Sequence, residues 1–200
     1  MMSRELKDLL SQIAGREGPV TVSGLRGSAR ALLATELLAE EKPDALLFVT
    51  ASSKDGDPVR DDLASFLGYV QPSGEVAPDA PLRVFPRYDV APYDRFSPQS
   101  FVTAARTEVL HRLLATQTEP SAPAPVIVAP FTALFSKVPA REVLASRTVA
   151  VATGQELDRD ELLRRFVDAG YARQPVVEDA GDVAARGGIV DVFPPHRGGG

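Results

Sequence analysis

The chain contains no cysteine. That excludes disulfides, thiolate metal sites and cysteine nucleophiles. Only two histidines are present, His111 and His196, so a zinc site would have to take its other ligands from carboxylates and is not expected. A basic excess is missing as well: 22 lysines and arginines stand against 27 acidic residues, a net charge of −5. The chain as a whole therefore gives no electrostatic reason to expect nucleic-acid binding, although a local basic face is compatible with that total. Long apolar runs are also lacking. None approaches the ~20 residues needed to span a bilayer. The opening stretch MMSRELKDLLSQIAGREG is charged throughout and has no apolar centre of the kind a secretion signal carries. The expectation is a soluble, cytoplasmic protein without a membrane partner.

What is present is ordinary globular composition, 44% hydrophobic and 24% charged over 200 residues. That length holds one domain with a sizeable core, or one domain and a smaller second. The 17 prolines sit mostly in connections. Val70–Leu82 and Thr118–Val126 read as loops, the second as an exposed extended segment of Pro, Ala, Ser and Thr.

Leu6, Leu9, Leu10 and Ile13 recur at helical spacing and predict an amphipathic helix over Ser3–Ala14, within an N-terminal segment of residues 1–19. Val20–Val22 reads as a short strand, followed by Ser23-Gly24. Ser28 is placed to cap a helix over Ala29–Glu41 that stops before Pro43. The continuous apolar run Ala45–Ala51 fits a strand buried on both faces. A helix bearing Val59, Leu63, Phe66 and Leu67, a strand at Leu82–Pro86, a helix at Phe101–Ala115 and a strand at Pro125–Pro130 complete the series. Such alternation predicts an α/β fold, a parallel sheet with helices on both faces. The pattern then changes to α+β: a strand at Arg147–Gly154, a helix at Asp158–Tyr171 closed by Gly170, then strand, turn and strand, with Val183–Phe193 as the second run. A domain boundary falls near Val138-Pro139, dividing residues 1–138 from 139–200.

The turn Gly24-Leu25-Arg26-Gly27-Ser28-Ala29-Arg30-Ala31 has the layout of a phosphate-binding loop. In a working loop backbone amides wrap the phosphates, a lysine neutralises the terminal ones and a hydroxyl binds magnesium. Here Ala29 stands for the second glycine, Arg30 for the lysine and Ala31 for the hydroxyl residue. Arginine keeps the charge, but its fork is no substitute for a lysine point charge in so tight a loop. No acidic residue at the end of a later strand is placed to manage magnesium. Gly24, Gly27, Ala29, Arg30 and Ala31 thus read as a degenerate loop with no bound cofactor and no catalytic residue. The helix N-terminus could still attract an anion weakly.

Four blocks occur in order: GLRGSAR, PRYDVAPYDRFSPQSFVTAARTEVLHRLL, VIVAPFTALFSKVP and DAGYARQPVVEDAGDVAARGGIVDVFPP. Together they resemble the N-terminal, UvrB-like portion of the bacterial transcription-repair coupling factor family (Mfd). The last block is the most specific. The resemblance implies that residues 1–138 are a degenerate P-loop lobe of RecA-like type, similar to UvrB domain 1a. It implies that residues 139–200 are a UvrB domain 2-like, UvrA-binding unit, expected to be truncated. The motif positions that carry over as partner-binding residues are Arg173 in GYAR and Arg186 in RGG. UvrB carries a tyrosine-rich β-hairpin near the position of Tyr88 and Tyr93, but no room for one exists between Pro98 and Phe101. Both tyrosines are therefore read as packing residues. On an alternating strand through Val183–Phe193, Arg186 and Asp191 would lie on opposite faces.

The function implied is a non-catalytic module that brings UvrA to DNA where RNA polymerase has stalled, in nucleotide excision repair. Contacts with RNA polymerase and DNA, and ATP and magnesium for a DNA-translocating motor, are implied only for further domains of such proteins. Two other readings remain open from the residues: a nucleotide-dependent enzyme with a variant P-loop, and direct DNA binding through Arg26 and Arg30.

Overall fold

The computed structural model describes residues 4–13, 16–91, 95–116 and 123–194. Tyr93, His196 and the start of the proline-rich loop at Thr118 lie outside the described residues. The described residues form two compact units, one holding those up to 84 together with 123–131, the other holding 85–116 and 132–194.

In the first unit, helix α1 (Arg4–Ile13) packs against α2 (Ala29–Glu41). Strand β1 (Leu46–Thr50), helix α3 (Gly56–Phe66) and strands β2 (Leu82–Val84) and β3 (Val126–Pro130) follow. The three strands make a parallel sheet in the order β1-β3-β2, with Leu46 and Leu82 both beside Val126. Ala31, Ala34, Val59, Leu63, Leu82, Val126 and Val128 are buried in one cluster, with Leu46 and Phe48 packed on it. The helices therefore cover the sheet face that carries the even-numbered residues of β1 and β3.

Two expectations fail here. Val20–Val22 forms no strand and joins neither sheet among the described residues. A three-residue Val-Thr-Val pattern offers little apolar surface to bury, Val20 stays 38% exposed, and Pro19 just before it has no amide to give a ladder. The run Ala45–Ala51 is not buried on both faces either: Leu47 and Val49 are 49% and 46% exposed. As an edge strand, β1 has a neighbour on one side only, whereas all five residues of the central β3 are buried.

The second unit contains α4 (Ser100–Ala115), α5 (Arg141–Ser146), α6 (Arg159–Asp168) and strands β4 (Ala172–Arg173), β5 (Asp182–Arg186) and β6 (Ile189–Val192). β5 lies between β4, parallel to it, and β6, antiparallel. The expected strand at Arg147–Gly154 is absent. Those residues leave α5 through a Thr148 hydroxyl bond to the Leu144 carbonyl, then turn where the Ala152 amide meets the Gln155 side chain. α5 itself ends too soon to be read from helical periodicity.

One buried cation organises the start of this unit. The Arg106 guanidinium sits 4.0 Å from the Phe85 ring centroid and 4.2 Å from that of Tyr88. Its Nη1 donates to the Pro86 carbonyl at 2.6 Å, while the buried Nη2 finds no acceptor among the described residues. Desolvated cation–π contacts of this kind are among the stronger ones. Tyr88 thus packs, as expected of it. Nothing in the sequence singles out Arg106 for this role.

Candidate protein-docking surface

Gly24 and Gly27 have φ of +83° and +55°, the left-handed backbone that the turn into α2 requires and that glycine tolerates. Ser28 precedes α2 but already has helical dihedrals, and its hydroxyl makes no capping bond. A capping side chain reaches the free amides from an extended backbone, which Ser28 lacks. Arg30 is exposed, whereas Ala31 is 1% exposed and packs in the core. Its methyl stands where a P-loop needs a magnesium ligand. A methyl group offers no oxygen to a metal ion.

The second unit presents a different surface. α6 is capped by Asp158, whose carboxylate accepts from the Glu161 amide at 2.8 Å, and has Asp160 and Glu161 in its first turn to complement the helix dipole. Its Leu163 and Phe166 are buried against Val183, with Val149, Tyr171, Ala185, Val190 and Val192 around them. The chain leaves α6 through Gly170, with the Tyr171 amide bonded to the Phe166 carbonyl at 3.0 Å, and Tyr171 then meets Phe166 edge-on at 5.1 Å. Burial pushes the Tyr171 hydroxyl above its ordinary pKa.

β5 and β6 form a hairpin whose two loop residues are Gly187 and Gly188. Gly187 has φ +60°, as such tight turns demand. The expected unbroken run Val183–Phe193 is thus two strands. Nor is there a strand through Gln174–Asp179; there the Glu178 and Asp179 amides bond the Asp182 carboxylate and turn the chain. Asp182 anchors the base of the hairpin and Arg159 its tip, donating from Nη1 to the Gly187 carbonyl at 2.6 Å.

Register decides which side chains face out. Arg186 pairs with Ile189 and Ala184 with Asp191, so Arg186, Ile189 and Asp191 share one face. The sequence-based placement of Arg186 and Asp191 on opposite faces is therefore wrong, because the turn reverses the strand between them. Arg186 Nη2 bonds Asp191 Oδ2 at 2.8 Å, with the two side chains 66% and 38% exposed. Beside them Ile189 is 64% exposed. Arg173 is exposed too, but it is the partner of Val183 in the ladder, an odd number of residues from Arg186. The two arginines thus lie on opposite faces of the small sheet. Ile189 and Asp191 were missed as surface partners of Arg186; the Gly-Gly pair was the signal that could have revealed them.

This surface can make charge-assisted bonds to a partner carboxylate through an arginine, next to an exposed apolar side chain. Among the described residues no group of histidines and carboxylates could hold a metal, and no helix is long and apolar enough to cross a membrane.

Residues 149–199, which include α6 and the hairpin, match the UvrB interaction domain family. The chain is also similar to the transcription-repair-coupling factor of Myxococcus xanthus, 34% identical over 176 residues, or 88% of this chain and 14% of that protein. The corresponding values are 29% over 173 residues for the factor of Bacillus subtilis and 25% over 170 for that of Escherichia coli. The chain spans only 13% of the length of each of these two relatives. With likeness to these factors over most of its length and a match to the interaction domain at residues 149–199, the chain belongs to the transcription-repair coupling factor (Mfd) family, as its N-terminal, UvrB-like region.

Proposed function

We propose that this region is a non-catalytic docking module that recruits UvrA during transcription-coupled nucleotide excision repair. The observation that carries the reading is a coincidence of place. The residues matching the interaction domain are the ones that turn Arg186, Ile189 and Asp191 outward on a tethered hairpin. In this reading residues 139–200 dock the partner and residues 1–138 are a degenerate P-loop lobe serving as scaffold, consistent with the burial of Ala31. ATP turnover, magnesium binding, translocation on DNA and displacement of RNA polymerase belong to the parts of the relatives that this chain does not cover. Titration calorimetry with UvrA tests the proposal. The wild-type chain is expected to bind, and Arg173→Glu with Arg186→Glu to lose binding while melting at the wild-type temperature. Undiminished binding by that double variant would overturn the reading.

A further inference from the structure

We infer that the hairpin reads its partner through its outer face, with Asp191 as a positioning residue: it holds Arg186 in one orientation for a partner carboxylate that lies beside an apolar pocket for Ile189. This rests on the docking function proposed above. An unpinned arginine loses considerable side-chain entropy on binding, and fixing it beforehand removes part of that cost. The 2.8 Å bond from Nη2 to Asp191 does this while using one of the five guanidinium N–H donors. The remaining donors, on a side chain 66% exposed, suit a second, bidentate carboxylate.

The fold does not need this ion pair. Register is already set by the Gly187-Gly188 turn, by Val183 and Val192 facing the core, and by the Arg159 bond at the tip. Exposed ion pairs contribute little to stability. Ile189, 64% exposed, is a large aliphatic group held in water at the same level of the ladder as Arg186. An arginine adjoining an apolar anchor is a common make-up for an interface hot spot. Charge complementarity therefore commits the occupant to a protein surface with an acidic residue at the rim of an apolar pocket. Arg173, on the other face, contributes less than Arg186.

The test measures association and dissociation rates of the whole chain with UvrA. Asp191→Ala is expected to weaken binding roughly two- to tenfold, mainly through faster dissociation. Asp191→Asn, whose amide oxygen still accepts from Arg186, should restore most of the loss. In an Arg186→Ala background Asp191→Ala should have no further effect. Ile189→Ser should weaken binding roughly tenfold or more, and Arg164→Ala on α6 should serve as an unaffected control. The melting temperature of Asp191→Ala should match wild type. If wild-type chain binds UvrA but Asp191→Ala binds equally well, or loses as much without Arg186, positioning by Asp191 is overturned and docking survives. If the wild-type chain does not bind UvrA, both fall together.

Discussion

The turn at Gly24–Gly27 and the turn at Gly187-Gly188 are made of the same materials. Each uses glycine at positive φ, each adjoins an apolar stretch, and each has an arginine nearby, Arg30 in one and Arg186 in the other. They differ in where the neighbouring side chains go. After the first turn, Ala31 is directed into the core of the first unit, at the position where chemistry would need a hydroxyl in contact with ligand. Around the second, Ile189 and the Arg186–Asp191 pair face solvent. A glycine pattern thus reports the path of the backbone. Whether the site does anything depends on the register that follows, and there the second turn has the stronger case.

The contrast can be broken most sharply at the two arginines. Arg186→Glu should weaken UvrA binding roughly 30-fold or more, the range of an interface hot spot. Arg30→Glu should change it less than about twofold, since an isolated exposed charge contributes little. Equal losses in calorimetry would erase the distinction between the turns. The next effect is one of stability. Converting Ala29, Arg30 and Ala31 to Gly, Lys and Thr rebuilds a P-loop on paper but forces a hydroxyl into the cluster of Val59, Leu63 and Val126. Urea denaturation should show a loss of about 1–3 kcal/mol, the cost of a buried group left unsatisfied. Binding of Mg-ATP should remain weaker than about 1 mM, near −4 kcal/mol. Micromolar affinity with undiminished stability would reveal a dormant nucleotide site instead.

The smallest effect concerns the core face beneath the hairpin. Burial raises the Tyr171 pKa in the folded chain, so above pH 10 the unfolded tyrosine ionises more readily than the folded one. The stabilisation is complete below the unfolded pKa and is lost as pH rises through the folded value. Tyr171→Phe should therefore lose stability less steeply than wild type between about pH 9 and 11 in urea titrations, while keeping UvrA binding. Identical slopes would mean that Tyr171 is not buried as described.

Much of the α/β organisation is legible in the sequence because it is local. The helix predicted at Ala29–Glu41 has those bounds in the structure, and α6 is announced by Asp158 at one end and Gly170 at the other. Position within a sheet is not local. Ala45–Ala51 and Pro125–Pro130 are similar apolar runs, yet one becomes an edge strand with Leu47 and Val49 exposed and the other a fully buried centre. Pairing partners distant in sequence decide between them. The same holds for Val20–Val22, whose strand-forming residues join no ladder among the described residues. The residues of the proposed docking face were half legible: Arg186 stood out by resemblance, while its companions depended on where the hairpin turned. Arg106 gave no sign at all, since its burial comes from Phe85 and Tyr88, some twenty residues away in sequence.

That arginine also has a spectroscopic signature. Two aromatic faces, 4.0 and 4.2 Å from its guanidinium carbon, place its terminal protons in the shielding cones of both ring currents. In a nuclear magnetic resonance spectrum Arg106 should resonate upfield of the exposed arginines. Its Nη2 protons, buried with no acceptor among the described residues, should exchange slowly with water. Collapse of that single signal would report loosening of the Phe85–Tyr88 segment before any global unfolding, making a structural pin into an internal gauge of local order.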